Sequence, residues 1–254
     1  MIKKHLITCS VICVLALVSG LLSSWKIDRV KPKKHKAEYR FIYPKDDPST
    51  EFSFADEAMP LNDKAITRKL RGSLRKSSYN NIQSYILQQE AVQLFPIIEP
   101  ILAANGIPDD FKYVPLVEAG LRDGVSKRGA AGWWQFMPGT ARTYGLKEGN
   151  GRDERYNVRK STMAACKYIK ELYAQFNSWT LAAAAYNNGE NQLARAIRRQ
   201  SEDNYFRLHL NPETGRYIYN IIAMKQVIER PELYGYKKYN KLYNTQPTEL
   251  VALN

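Results

Sequence analysis

One acidic side chain, Glu118, stands out in this sequence as a candidate for chemistry. It ends the apolar stretch YVPLVE, and a small-residue turn and the sequence WWQF follow it along the chain. A carboxyl group in the last turn of a helix faces the negative end of the helix dipole, and apolar neighbours withdraw it from water. Both effects favour the protonated form, which can act as a general acid on a glycosidic oxygen. An ordinary solvated glutamate at a helix end fits the same pattern.

Several other catalytic chemistries lack their residues. Of the three histidines only His209 lies in the expected domain, because His5 and His35 come before it. This leaves nothing for a histidine-rich metal site and little for a Ser-His-Asp triad. Cys166 is the only cysteine beyond the N-terminal segment, so no internal disulfide is available, and we expect it to pack in the core. We expect neither a metal ion nor a cofactor.

The chain is strongly basic, with a formal net charge of +13 at pH 7. Such a charge attracts any polyanion, including nucleic acid, anionic lipid and acidic cell-wall polymers. The basic residues are dispersed through the chain and are densest in residues 25–58. A specific nucleic-acid partner is therefore the weakest interpretation.

Residues 1–24 are predicted to be a signal peptide or a membrane anchor. Lys3 and Lys4 precede an apolar run over residues 6–22, and its 17 residues lie at the short end of the roughly 17 to 25 that span a bilayer. The segment after the run carries more positive charge than the two lysines before it, which by the positive-inside rule alone would place the domain in the cytoplasm. Both orientations stay open at this point.

The rest of the chain divides into a linker, one domain and a tail. Residues 25–58 mix Lys, Pro, Asp and Ser without an apolar period and predict a flexible basic linker. Residues 59–231 show helical spacing of apolar residues and predict an all-α domain, followed by a tail over residues 232–254. Asn157 and Ser178 are predicted helix caps, and Pro96 and Pro100 are expected to kink or restart a helix.

Five blocks of sequence, taken in order, resemble a known family. They are YVPLVEAGL, VSKRGAAGWWQFMPGTARTYGL, DERYNV, AAAAYNNGENQLARAI and NPETGRYIYNI. Together they are similar to lytic transglycosylases of the soluble-lytic type, and especially to the membrane-bound murein transglycosylase D branch. The resemblance implies a helical, goose-type lysozyme-like fold. It also implies export to the periplasm or cell envelope, where peptidoglycan glycan strands would be the partner.

The same resemblance assigns roles at matching positions. Glu118 would be the catalytic acid and later base, cleaving the bond between N-acetylmuramic acid and N-acetylglucosamine without water and leaving a 1,6-anhydro end. The sugar groove would be lined by Gln135, Met137, Tyr186 and Asn187, with Ser126 as a further substrate contact. Tyr217 and Tyr219 are further candidates for its border, of which only one can face it. Ala119 stands where the family has serine, and the segment before Ser126 is one residue shorter than usual.

Three alternatives and two packing questions accompany this assignment. A hydrolytic muramidase and a catalytically silent murein-binding protein remain, the second motivated by Ala119 and the short segment. A second carboxylate could also take part in the cleavage together with Glu118. Four candidates lie nearby in the sequence: Asp123, Glu148, Asp153 and Glu154. We expect the last two of these to form caps or salt bridges. One of the adjacent residues Trp133 and Trp134 is expected to pack inside the domain.

Overall fold

The computed structural model describes residues 52–82, 85–119, 125–149 and 151–237. The predicted N-terminal segment at residues 6–22, and most of the predicted linker and tail, lie outside these ranges. Among the helices within them, none is long and apolar enough to cross a membrane.

The domain is built from helices packed around one apolar core. The N-terminal half contains α1 (Lys64–Ser77), α2 (Tyr79–Ile82), α3 (Ile86–Ala104), a 3-10 helix (Asp109–Tyr113), α4 (Val114–Glu118) and α5 (Pro138–Thr143). The C-terminal half contains a 3-10 helix (Glu154–Tyr156), α6 (Val158–Phe176), α7 (Trp179–Asn188), α8 (Glu190–Gln200), α9 (Thr214–Glu229) and a last 3-10 helix (Pro231–Tyr234). The predicted all-α class is confirmed.

Two short antiparallel hairpins accompany the helices. In the first, β1 (Ser53–Phe54) pairs with β2 (Glu57–Ala58), and in the second β3 (Glu148–Gly149) pairs with β4 (Arg152–Asp153). Each strand has two residues, which is too short for an alternating apolar pattern to be visible in the sequence.

The helices α7 and α9 form the centre of the core. The run Ala182–Ala185 in α7 is buried, and its small side chains let neighbouring helices approach closely. In α9, Ile218, Ile221, Ile222 and Val227 are completely buried. These two helices also carry site residues, so core packing fixes the position of the site.

The structure differs from the predicted linker boundary at residue 58. Phe54 is completely buried, and its ring packs edge-on against Phe111 with 4.9 Å between centroids. The Glu57 carboxylate accepts hydrogen bonds from the Ser178 hydroxyl at 2.8 Å and the Thr180 amide at 3.0 Å. Residues 52–58 therefore belong to the folded domain, because their apolar side chains fill the core and Glu57 binds the first turn of α7.

The folded region also continues past the predicted domain end at residue 231. Tyr234 and Tyr236 are both buried, and the Tyr236 hydroxyl donates to the Ser77 carbonyl at 2.8 Å. The described part of the predicted tail thus packs on the end of α1. Helix α3 runs through Pro96 and Pro100 without restarting, contrary to that alternative of the prediction.

Candidate active site

Glu118 is the last residue of α4, as its sequence context predicted. Proline at the start of this five-residue helix suits the first turn, where a backbone N–H has no partner within the helix. Val114 and Leu116 are buried, and the Tyr113 hydroxyl donates to the Glu229 carboxylate at 2.8 Å. A helix too short to be stable alone is thereby held by the core and presents Glu118 at a fixed place.

The Glu118 carboxyl is withdrawn from water and has one strong hydrogen-bond donor. Burial raises its pKa to about 7 from the ordinary value of 4.5. The Tyr217 hydroxyl, on α9, donates to Glu118 Oε1 at 2.5 Å and opposes part of that rise, because it stabilises the carboxylate. The negative charge of Glu213 adds to the rise. The carboxyl can therefore be protonated near neutral pH.

A cavity of about 310 Å³ opens at this carboxyl. The exposed cations Lys76 and Arg216 and the exposed Glu213 lie at its walls. The full lining is Lys76, Val117, Glu118, Asn187, Pro212, Glu213, Arg216, Tyr217 and Asn220. The cavity thus brings the ends of α1 and α4 together with α7 and α9.

Tyr186 connects α7 to the segment that contains the two tryptophans. Its hydroxyl donates to the Trp134 carbonyl at 2.7 Å, and its ring packs edge-on against Trp134 and Phe136. Burial and the nearby negative charge of Glu118 raise the pKa of Tyr186 well above its ordinary value. Its hydroxyl therefore stays protonated, and because its one proton is donated to the Trp134 carbonyl, its oxygen is left as an acceptor.

Asn187 joins the end of α7 to the start of α9. Its side-chain amide donates to Glu213 at 3.3 Å, and its side-chain carbonyl accepts from the Thr214 hydroxyl at 2.8 Å. Asn211 holds the same turn, because its side-chain carbonyl oxygen accepts hydrogen bonds from the backbone amides of Glu213 and Thr214, each at 3.0 Å. This network fixes one wall of the cavity.

Gln135 occupies a strained turn. Its φ is +46°, and its side-chain amide donates to the Gly132 carbonyl at 2.9 Å. Gly132 has φ +72°, and a Cβ there would lie 1.9 Å from the Arg155 carbonyl oxygen, so no other residue fits. The Arg155 guanidinium donates to the Gly129 and Phe136 carbonyls at 2.8 and 3.1 Å and holds this turn in place.

The structure does not bring every predicted site residue to the same cavity. Glu118 and Asn187 line it, and Tyr186 lies close enough for its pKa to be affected by Glu118. Ser126 is exposed and caps a turn, its hydroxyl accepting from the Ala130 amide at 2.9 Å. Ser126, Gln135 and Met137 are not among the described residues that line the cavity, and Met137 is 42% exposed.

One of the two tryptophans and two of the acidic residues after them pack and pair as expected. Trp134 is completely buried and its indole N–H donates to the Thr162 hydroxyl at 2.9 Å, as expected for one of the pair. Asp153 pairs with Arg155 at 2.7 Å, and Glu154 pairs with Lys160. Both therefore form salt bridges as predicted. Asp123 lies outside the described residues.

Two further residues line the cavity: Tyr217, which the sequence offered together with Tyr219 as a border of the groove, and Glu213, which was absent from the predicted site. They lie four residues apart around the start of α9 in NPETGRYIYN, a spacing that brings side chains to the same side of a helix. In the sequence, this spacing indicates that the two side chains lie on the same side of α9, but it does not indicate which other helix they face. In the described ranges no group of three or more His, Cys, Asp or Glu residues could hold a metal ion.

Comparison with known proteins shows sequence similarity to transglycosylases. Residues 96–208 match the family model described as Transglycosylase SLT domain. The chain is 31% identical over 183 residues to the membrane-bound lytic murein transglycosylase D of Escherichia coli K12, covering 70% of this chain and 39% of that protein. The match to the SLT domain model confirms the resemblance that the five sequence blocks indicate, and the chain spans about 39% of the length of that relative.

Two further similarities are more distant. The chain is 31% identical over 106 residues to the putative tributyltin chloride resistance protein of Alteromonas sp. M-1, covering 41% of this chain and 51% of that protein. The solved structure of an inactive mutant of the lytic transglycosylase Slt from Pseudomonas aeruginosa matches with a TM-score of 0.43 and 16% identity. That match covers 70% of this chain and 32% of the other.

Proposed function

We propose that this protein is a peptidoglycan lytic transglycosylase. It cleaves the β-1,4 bond between N-acetylmuramic acid and N-acetylglucosamine and leaves 1,6-anhydromuramic ends in cell-wall turnover. The observation that carries the proposal is the Glu118 carboxyl, with a pKa raised to about 7 by burial, at the wall of a cavity. The match to the SLT transglycosylase family model supports it.

In the first step Glu118 acts as the acid. Its carboxyl proton passes to the glycosidic oxygen as the bond from that oxygen to the muramic C1 breaks, and positive charge develops at C1. The N-acetylglucosamine side leaves with a new hydroxyl group. Glu118 is now a carboxylate, which the Tyr217 hydroxyl stabilises by donating a hydrogen bond.

In the second step the same residue acts as the base. The Glu118 carboxylate removes the proton from the muramic C6 hydroxyl, whose oxygen bonds to C1 and closes the 1,6-anhydro ring. Glu118 is protonated again and no water molecule is consumed. A single carboxyl group suffices for this sequence, whereas most glycosidases need two across the scissile bond.

The remaining predicted residues would bind and orient the sugars. Tyr186 and Asn187 would stabilise the charge that develops at C1, because one lies beside Glu118 and the other lines its cavity. Gln135, Met137 and Ser126 would contact the glycan strand outside the cavity. Their segment is tied to α7 through the hydrogen bond from Tyr186 to Trp134.

The two alternatives make different products or none. A hydrolytic muramidase would leave reducing ends, because water would attack C1 in place of the C6 hydroxyl. A silent murein-binding protein would release no fragments. Ala119, in place of the family's serine, removes a hydroxyl group beside Glu118. The Glu118 carboxyl and its hydrogen bond with Tyr217 remain in place, so we propose that the protein is active.

Digestion of purified murein followed by mass spectrometry tests the proposal. We expect 1,6-anhydro ends from the native protein, and we expect Glu118→Gln to lose at least about a thousandfold in rate, since both proton transfers need a carboxyl group. Glu232→Gln, at an exposed glutamate that does not line the cavity, is the matched control. Reducing ends, or full activity in Glu118→Gln, would refute the proposal.

We also propose that the domain is exported and held at a membrane by residues 6–22. The apolar run and the name of the relative, membrane-bound lytic murein transglycosylase D, support this. Protease added to intact spheroplasts should cut the domain. Full protection would instead favour the cytoplasmic orientation that the charge after the run suggests.

A further inference from the structure

A second cavity, of about 330 Å³, lies between α8 and the turn before α9. Its lining is Asn188, Gln192, Arg195, Ala196, Arg199, His209, Leu210 and Asn211. Two arginines, a histidine and three side-chain amides thus face a space that no described acidic residue lines. The chemistry of this cavity suits an anion with several hydrogen-bond acceptors.

The two arginines are placed for a ligand more than for the fold. Arg195 and Arg199 are exposed and stand one turn apart on α8, where like charges repel each other. Neither forms an ion pair with any residue of the described ranges. The position of Arg199 in the last turn suits the helix dipole, but Arg195 lies a turn earlier and gains less from it.

The opposite wall of the cavity is fixed to the same helix. The His209 backbone amide donates to the Gln200 side-chain carbonyl at 2.8 Å, and the Gln200 amide donates to the His209 carbonyl at 3.0 Å. This pair of hydrogen bonds sets the spacing between α8 and the segment at His209. The cavity therefore has two walls in a defined geometry.

This second cavity adjoins the cavity at Glu118. Asn187 lines the first and Asn188 the second, while Pro212 lines the first and Asn211 the second. Residues adjacent in sequence have Cα atoms about 3.8 Å apart, so one thin ridge separates the two cavities. The Asn211 side-chain amide donates to the Asn188 side-chain carbonyl at 2.9 Å and closes that ridge.

We propose that the second cavity binds a carboxylate of the peptide stem carried by the muramic residue. The inference rests on the proposed function, because the stem hangs from the sugar that Glu118 would attack. Arginine presents a planar fork of N–H donors that matches a carboxylate, and the amides of Gln192 and Asn188 add neutral hydrogen-bonding groups. The protein would thereby select stem-bearing glycan strands over bare ones.

The test compares stem-bearing strands with bare strands, from which an amidase has removed the stems and in which the lactyl carboxylates that this hydrolysis exposes have been converted to amides. We expect the double variant Arg195→Gln and Arg199→Gln to lose about tenfold in kcat/KM on stem-bearing strands, through KM, because charge-assisted hydrogen bonds are lost. Its kcat/KM on bare strands should be unchanged. Arg198→Gln, on the same helix but absent from the cavity lining, is the matched control and should match the native protein on both.

A second measurement separates this proposal from the proposed function. Glu118→Gln should bind stem-bearing strands more tightly than bare ones, and adding the two arginine substitutions should remove that difference. If the native protein forms no anhydro product but this binding difference exists, the proposed function fails and the stem site stands. Equal losses on both strands, no loss on either, or the same loss in Arg198→Gln would overturn the stem site.

Discussion

The acidic residues in two regions of this domain have pKa values shifted in opposite directions. At the cavity, burial raises the pKa of Glu118 to about 7. At the end of β4 the hydrogen bond from Arg155 lowers the pKa of Asp153, and at the start of the 3-10 helix that follows, the hydrogen bond from Lys160 lowers that of Glu154. The difference lies in the partners of each carboxyl group, since the residue types are nearly equivalent.

The two environments explain why Asp153 has a structural role and Glu118 can have a chemical one. Arg155 donates to both oxygens of Asp153 and also to two backbone carbonyls, so its charge holds the turn that carries Gln135. Glu118 has a neutral phenol as its hydrogen-bond donor, which cannot compensate fully for the lost hydration. A permanently ionised carboxylate stabilises the fold, whereas a carboxyl near its pKa can exchange a proton.

Removing Arg155, the cation that pairs with Asp153, should have the largest effect on the stability of the domain. Arg155→Met leaves Asp153 and Glu148 without their shared partner and the Gly129 and Phe136 carbonyls without a donor. We expect the free energy of unfolding to fall by about 3 to 5 kcal/mol, measured by chemical denaturation at pH 7. Arg152→Met, at an exposed neighbour, should change it by less than about 0.5 kcal/mol; equal effects would contradict this account.

Removing the raised carboxyl should increase stability at high pH. The folded state holds the Glu118 proton up to pH about 7, against 4.5 for the ordinary group, so ionisation costs stability as pH rises between these values and the cost persists above them. Glu118→Gln cannot ionise and should be more stable at pH 8, by at most about 3 kcal/mol. At pH 4 the difference should vanish. A difference independent of pH would refute the linkage.

Removing the phenol should move the pH profile of activity. The proposed activity would require protonated Glu118 and should decline as pH rises through about 7. Tyr217→Phe removes the hydrogen bond that lowers this pKa, so the decline should move to higher pH by about one unit. Tyr219→Phe is the control, because that hydroxyl lies on α9 and makes no hydrogen bond with any residue that the structure describes. A shift to lower pH would contradict the assignment.

Removing the negative charge of Glu213 should move the pH profile of activity in the opposite direction, and by less than Tyr217→Phe does. Glu213 raises the pKa of Glu118 through its negative charge, so Glu213→Gln should move the decline to lower pH. Because Glu213 is exposed, we expect a shift below about half a unit that shrinks with added salt. The pH dependence of kcat/KM at two ionic strengths measures it, and a salt-independent shift would exclude a through-space effect.

The sequence predicted those parts of the fold that depend on neighbouring residues. Asn157 caps α6 by accepting from the Lys160 amide at 2.9 Å, and Ser178 caps α7 by accepting from the Leu181 amide at 3.3 Å, as their positions predicted. Such caps need only three or four consecutive residues, so the pattern is visible locally. The hairpin at residues 52–58 was missed because its burial depends on Phe111 and α7, far along the chain.

The sequence alone determined that Glu118 ends a helix in an apolar stretch and that the charged residues after it would pair among themselves. The tertiary structure decided how far the pKa of Glu118 rises, because its burial comes from the packing of separate helices and its hydrogen-bond donor Tyr217 is 99 residues away in the chain. Glu213 likewise reaches the cavity only through the packing of α9. Local sequence fixes helices and caps, whereas desolvation and long-range charge arise from which helices meet, and these set the chemistry of the site.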